Sequence, residues 1–352
     1  MNNNKIIIWA SVAHNPDLHD LPFQNYLRNS GFEVHDVSIN SPANSNNLIL
    51  ILKFLYTFFR RINQITIWQA LIFCITAKNI QLKKRIIYSL QFSQIYHIYK
   101  CHKKNNKIHV VFRGNNLPNI ALVKKHLKHA ISTIIPHGLY FQPPPENKFY
   151  LSADNIITGT STWPEQSYSG TVHKLGMIEN RKLTSCGVFQ GEVCSICTTH
   201  SREVEAKFIS KLAEICEQYY ELCHVRVHPR NQELKKLIKK QKFINNKMDN
   251  MPISEYLPSC EILIFPVGYN DRISNVFYEA ILMNKNVLIC AEDPSKIVNL
   301  PLDLEKYVVD INDIEKALTD YRFQHEIVLS GKEHVFQADD IFEKIVHNCF
   351  KG

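Results

Sequence analysis

Glycine is scarce in this chain, with 11 residues in 352, and no G-x-G-x-x-G occurs. A dehydrogenase-type dinucleotide site, which needs those glycines beside the pyrophosphate, is therefore disfavoured. Long apolar runs are missing too. The apolar stretch from Leu48 to Ala77 is broken by Lys53, Arg60 and Arg61, so no run reaches the ~18 residues that a spanning helix needs. Met1-Asn2-Asn3-Asn4 leads straight into a strand-like segment, which lacks the form of a signal peptide. The pair in Cys194-Ser195-Ile196-Cys197 has no second pair at zinc-finger spacing. Of the 10 cysteines, Cys74, Cys216, Cys223, Cys260 and Cys290 sit in apolar stretches, where free cysteine behaves as a small hydrophobe. A reducing cytoplasm is the expected compartment. No internal repeat or low-complexity tract stands out.

What is present is ordinary globular material: 45% hydrophobic and 21% charged residues. At 352 residues the chain is long for one core, and two α/β domains are the natural division. The net charge is +8, with basic clusters at Lys83-Lys84-Arg85, Lys100 to Lys107 and Lys124-Lys125-His126. They read either as solvated ends of buried helices or as a surface resting on anionic lipid. Nucleic acid is disfavoured as a partner, because no binding motif accompanies the charge.

Strand-like and helix-like segments alternate along the chain, the signature of a parallel sheet. Lys5 to Ala10, Phe32 to Val34, Ile108 to Arg113 and Ala130 to Pro136 read as strands of a first unit. After Pro143-Pro144-Pro145 the alternation restarts with Val193 to Thr198, Cys223 to Val227, Ile262 to Phe265 and Asn286 to Cys290. Glu203 to Glu221 carries an apolar stripe at helical spacing. The expected division is residues 1–170, residues 171–335 and a closing helical segment, 336–352.

Three clusters follow strand-like segments, where open α/β sheets bind their ligands. In Val225-Arg226-Val227-His228-Pro229-Arg230, Pro229 cannot continue the ladder, so His228 is left at the sheet edge. The imidazole and the Arg230 guanidinium suit a phosphate. In Ser274-Asn275-Val276-Phe277-Tyr278-Glu279, Ser274 or Asn275 is a good N-cap. The free N–H groups of that helix start form an anion site, and Glu279, one turn inside, is placed to accept from a ribose. In Ile135-Pro136-His137-Gly138, Gly138 permits a sharp turn beside His137. That histidine suits a base or a phosphate contact.

His137-Gly138, His228-Pro229 and Ser274-Asn275, in that order, resemble the motifs of bacterial GT-B transferases that use CMP- or CDP-activated donors: sialyltransferases, capsule Kdo transferases and CDP-glycerol transferases. The resemblance spans about residues 130 to 295. It implies two Rossmann-like domains facing a central cleft, and transfer of a sialic-acid-like sugar or Kdo from its CMP form to a surface glycan or glycolipid. It also implies that His228 and the Ser274-Asn275 pair contact the donor phosphate and nucleotide. This chain has Ser-Asn where those families have Ser-Ser or Ser-Thr.

An inverting transfer needs a base for the acceptor hydroxyl. The polar loop His14-Asn15-Pro16-Asp17-Leu18-His19-Asp20 supplies Asp17 or Asp20, with His14 and His137 as alternatives. No acidic metal cluster is apparent, so catalysis without a metal or other cofactor is expected. His228, Arg230 and the helix start at Ser274 then provide the positive charge. CDP-glycerol or UDP-sugar transfer, a UDP-sugar 2-epimerase, and a non-catalytic scaffold for polysaccharide assembly are the alternatives. A peripheral seat at the inner face of the plasma membrane would suit the last of these as well as the enzyme.

Overall fold

The computed structural model describes residues 5–11, 20–38, 52, 56, 82–103, 107–113, 117–135, 153–159, 170–178, 192–197, 202–219, 223–228, 231–245, 251–267, 275–296, 304, 306–319, 333 and 335–351. Among them the strands form two six-stranded sheets, and every registered pairing is parallel.

The first sheet is built from β1 (Lys5–Ser11), β2 (Glu33–Asp36), β3 (Lys107–Arg113), β4 (Ala130–Ile135), β5 (Asn155–Thr158) and β6 (Thr171–Lys174), in the order β2-β1-β3-β4-β5-β6. β1 and β3 read as continuous apolar runs because both of their faces are covered. On one face Ile6, Ile8, Val110, Phe112 and Ile134 meet Phe92, Ile95 and Tyr99 of helix α2 (Leu82–His102) and Ile120 and Val123 of α3 (Leu117–His126). On the other, Ile7, Trp9, Val111 and Ile135 meet Phe23 and Leu27 of α1 (Leu21–Asn29). Helix α1 stops at Gly31, whose φ of +86° lets the chain turn back so that Phe32 N donates to Leu27 O.

The second sheet takes β7 (Glu192–Cys197), β8 (Cys223–Val227), β9 (Ile244–Asn245), β10 (Cys260–Val267), β11 (Asn286–Ala291) and β12 (Val308–Asp310), in the order β12-β11-β10-β7-β8-β9. Helix α4 (Arg202–Tyr219) lays Val204, Phe208, Ile209, Leu212, Ile215 and Cys216 into this core, the stripe expected from its sequence. Shorter helices follow: α5 (Gln232–Ile238), α6 (Ile253–Ser259), α7 (Asn275–Leu282) and α8 (Ile314–Thr319).

Two features stand out against the expected division. Residues 171–174, placed at the start of its second unit, form β6, which pairs with β5, Ile157 opposite His173, in the first sheet. The final helix α9 (Ile341–Ile345), which runs on as a π-helical turn through Val346–Phe350, is not a separate appendage. Its Ile341, Phe342, Ile345, Val346, Cys349 and Phe350 complete the core under Trp9, Phe23 and Phe32.

The chain passes between the two cores at Met177, which joins the second, and Ile178, which joins the first. It returns alongside itself: Gln337 Oε1 accepts from Met177 N at 3.1 Å and Gln337 Nε2 donates to Met177 O at 3.2 Å. Gly176, with φ +108°, makes room for this crossing, since a Cβ there would lie 2.5 Å from Gln337 Oε1. Among the described residues no helix is long and apolar enough to cross a membrane.

Candidate functional site

Parallel strands place all their carboxyl ends at one edge of a sheet. In the second sheet β8 and β10 flank β7, so their ends lie about 10 Å apart at ~4.8 Å per strand spacing. His228 follows directly on the last residue of β8 and is exposed. The strand is held down by Val225 and Val227, 1% and 2% exposed, while the alternate positions 224, 226 and 228 share the opposite face. α7 follows β10 in the chain, with Glu279 one turn from its start, and Arg226 of β8 is near enough to act on that carboxyl. Pro229, Arg230 and Ser274 lie outside the described residues, and Asn275 is placed as the first residue of α7.

Glu279 is not the solvent-facing helix glutamate that its type commonly is. Its residue is 9% exposed, and burial pushes its carboxyl up to about 7, with the Arg226 guanidinium partly opposing that shift. Oε2 of Glu279 is buried with no hydrogen-bond partner among the described residues. A buried carboxyl oxygen left open in this way costs free energy unless a ligand donor completes it. The Arg226 side chain is itself fixed. It donates to Met251 O and its guanidinium carbon sits 5.2 Å from the centre of the Tyr256 ring, a cation–π contact. Helix α7 is closed at its far end by Asn284, φ +59°, with Lys285 N donating to Ala280 O at 2.9 Å.

The turn that carries His228 has an anchor that sequence reasoning missed. Asn231 N donates to His228 O at 2.9 Å, Asn231 Oδ1 caps α5 by accepting from Leu234 N at 3.2 Å, and Asn231 Nδ2 donates to Glu205 Oε2 at 3.0 Å. Asn231 and Glu205 are buried, which ties the turn after β8 to α4. The signal was local: Asn231 stands directly before Gln232-Glu233-Leu234, the place of an N-cap.

In the first sheet the corresponding edge is underlaid by a buried polar lattice. Arg113 Nε donates to Asp20 Oδ1 at 3.0 Å, Trp9 Nε1 donates to Asp20 Oδ2 at 3.1 Å, and Arg113 also donates to Ile135 O at 3.3 Å. Gln91 Nε2 donates to Ser11 O at 3.0 Å and Asn119 Nδ2 donates to Gln91 Oε1 at 2.7 Å. Asp20, expected as a candidate base, is therefore corrected to an anchor. It is 2% exposed and both carboxylate oxygens are occupied, so neither is open to an acceptor hydroxyl. His14, Asp17, His137 and Gly138 lie outside the described residues.

No protein-family model and no curated protein sequence matches the chain. Solved structures do. The chain is similar to MurG of Acinetobacter baumannii, with 10% identity, TM-score 0.56 and coverage of 99% of this chain and 100% of that one. It is similar to UDP-GlcNAc 2-epimerase of Neisseria meningitidis bound to UDP-GlcNAc, with 11% identity, TM-score 0.59 and the same coverage. It is also similar to the glycosyltransferase SnogD of Streptomyces nogalater, with 12% identity, TM-score 0.55 and coverage of 98% and 100%. At such low identity the likeness speaks for architecture, and it spans almost the whole length of each chain. With its two parallel doubly wound sheets, this chain has the GT-B fold.

Proposed function

We propose that this chain is a GT-B glycosyltransferase that moves a sugar from a nucleotide-activated donor to a glycan or glycolipid acceptor. The observation that carries the proposal is Glu279, a buried carboxyl with an open oxygen beside Arg226 of β8, the strand that leads to the exposed His228. A ribose has two adjacent hydroxyls and a phosphate carries charge. Glu279 accepts from the first, and His228 with Arg230 and the start of α7 faces the second. The acceptor oxygen forms a bond to the anomeric carbon, the bond from that carbon to the phosphate oxygen breaks, and the hydroxyl proton passes to a base. Asp17 is the preferred base, with His14 and His137 as alternatives, while Asp20 accepts from Arg113 and Trp9. Stabilising the leaving phosphate is the largest demand on the site, and the residues named supply that positive charge with no metal in the reaction.

The finer reading is a CMP-linked sialic-acid-like sugar or Kdo as donor, on the strength of the His-Pro and Ser-Asn pairs in the sequence. UDP-sugar or CDP-glycerol transfer is the alternative donor chemistry. Work on a polysaccharide at the inner face of the membrane accords with the basic segments of the first half. In a transfer assay with CMP- and UDP-sugars, His228→Ala is expected to abolish turnover while circular dichroism stays unchanged. Full activity in that variant overturns the assignment.

A second reading is favoured by one observation, the similarity to an epimerase bound to UDP-GlcNAc. An epimerase needs no acceptor, so product analysis with donor alone separates the two. Conversion of the donor sugar without acceptor supports the epimerase, and none supports transfer.

A further inference from the structure

At the opposite edge of the first sheet, three side chains from distant parts of the sequence meet. Glu33 and His35 are two apart on the edge strand β2 and so share one face. His102 is in the last turn of α2, the helix that packs on that face. One ligand atom from each of the three lies within 4.8 Å of the others. The His35 and His102 rings are 4.9 Å apart between centroids and inclined at 51°. Nε2 of His35 sits 2.9 Å from Glu33 Oε1, yet the contact does not have hydrogen-bond geometry. The nitrogen and the oxygen are close without being aligned as donor and acceptor.

We propose that Glu33, His35 and His102 form a structural site for a divalent transition-metal ion of the zinc class. Two imidazoles and a carboxylate are a donor set that such ions favour. Bonds of ~2.0–2.2 Å in a tetrahedral arrangement put ligand atoms about 3.4 Å apart, so side-chain rotation needs only to open the 2.9 Å Glu33–His35 contact slightly and close the wider separations, all within 4.8 Å, by at most about 1.4 Å. Water completes the fourth position. The helix end adds to the attraction, because the partial negative charge of the last carbonyls of α2 favours a cation there.

Position decides the role. Glu33 is opposite Ile6 and His35 opposite Ile8, in the early part of β1, and α2 ends just before β3 begins. The cluster therefore lies toward the amino ends of the first sheet's strands, not at the carboxyl ends where open α/β sheets bind their ligands. The ion staples the outermost strand to its covering helix and takes no part in transfer. An edge strand presents unpaired backbone groups, and among the described residues β2 has β1 as its one partner in the sheet.

The test is titration of the chelator-treated full chain with Co²⁺, read by visible ligand-field absorption. One equivalent with intense tetrahedral bands is expected, together with a rise in Tm on adding Zn²⁺. His102→Ala and Glu33→Gln should each lose the bands and the Tm rise, with affinity falling by more than the ~10–100-fold that loss of an outer partner costs. His347→Ala, at an exposed histidine of the closing π-helical turn, should retain both. No uptake by the natural chain overturns the proposal. So do unchanged bands and stoichiometry in both ligand variants. Because the readout is metal binding, its outcome is independent of whether the chain proves to be a transferase.

Discussion

Glu279 and Asp20 are both buried carboxylates, and their surroundings give them opposite roles. Asp20 has a partner on each oxygen, and breaking a buried pair by removing one charge costs about 3–5 kcal/mol. Asp20→Asn is therefore expected to lower the unfolding free energy by that order, read as a fall in the denaturant midpoint at unchanged slope. Replacing the partner, as in Arg113→Met, should be similarly damaging, because Asp20 would keep its charge unanswered. Glu279 instead has an open oxygen and a carboxyl pushed up to about 7. A hydrogen bond to a charged group contributes about 1.5–3 kcal/mol. Glu279→Gln should thus weaken nucleotide binding by roughly tenfold to hundredfold in a calorimetric titration. In the natural chain, binding should strengthen as pH rises through about 7, where the carboxyl ionises, and weaken below it.

At the scale of elements, α9 is the piece whose role the sequence concealed. Phe342 lies 4.7 Å from Phe23, ring centre to ring centre, and 5.5 Å from Tyr26. Phe342→Ala should cost about 3–5 kcal/mol. The expected signature is loss of hydrogen-exchange protection in α1, residues 21–29, with α4, residues 202–219, unaffected. Equal loss in both would contradict the assignment of α9 to the first core. The strands β1, β3, β10 and β11 were legible because their apolar runs are buried on both faces, and β8 because Val225 and Val227 alternate ahead of Pro229. β5, β6 and β9 were not, since two to four residues are too few to set a period, and β2, equally short, was legible only through Phe32-Glu33-Val34. β6 in particular, Thr171-Val172-His173-Lys174, reads as a polar turn and becomes a strand only through its pairing with β5. The sheet-edge position of His228 was legible, because Pro229 ends its strand; the Asp20 lattice was not, because Arg113 and Trp9 reach it from other strands. The same holds for Glu33, His35 and His102, whose meeting depends on how α2 lies on the sheet.

The whole molecule carries two buried titratable groups whose effects on stability oppose one another. His109 is fully buried in β3 against Phe350, neither ring nitrogen has a partner among the described residues, and burial, with Lys107 and Lys5 nearby, lowers it to about 4. Between about 4 and 6.5 the unfolded chain takes up the proton that the native imidazole refuses, so this group makes stability rise with pH. Glu279 has the reverse sign. Between 4.5 and about 7 the native carboxyl keeps a proton that the unfolded one releases, so stability falls as pH rises. Each effect amounts to roughly 3 kcal/mol. The two contributions offset each other between pH 4.5 and 6.5. His109→Phe should unmask a stability that declines with rising pH, and Glu279→Gln one that climbs, both readable from urea unfolding at a series of pH values.

The proposed function reduces to where a nucleotide sits. A crystal structure of the chain soaked with CMP, and in parallel with UDP, addresses that most directly. The account predicts the ribose hydroxyls within hydrogen-bond distance of Glu279 and the phosphate beside His228 at the start of α7. A nucleotide seated on the first sheet, or one that leaves Glu279 untouched, would contradict it.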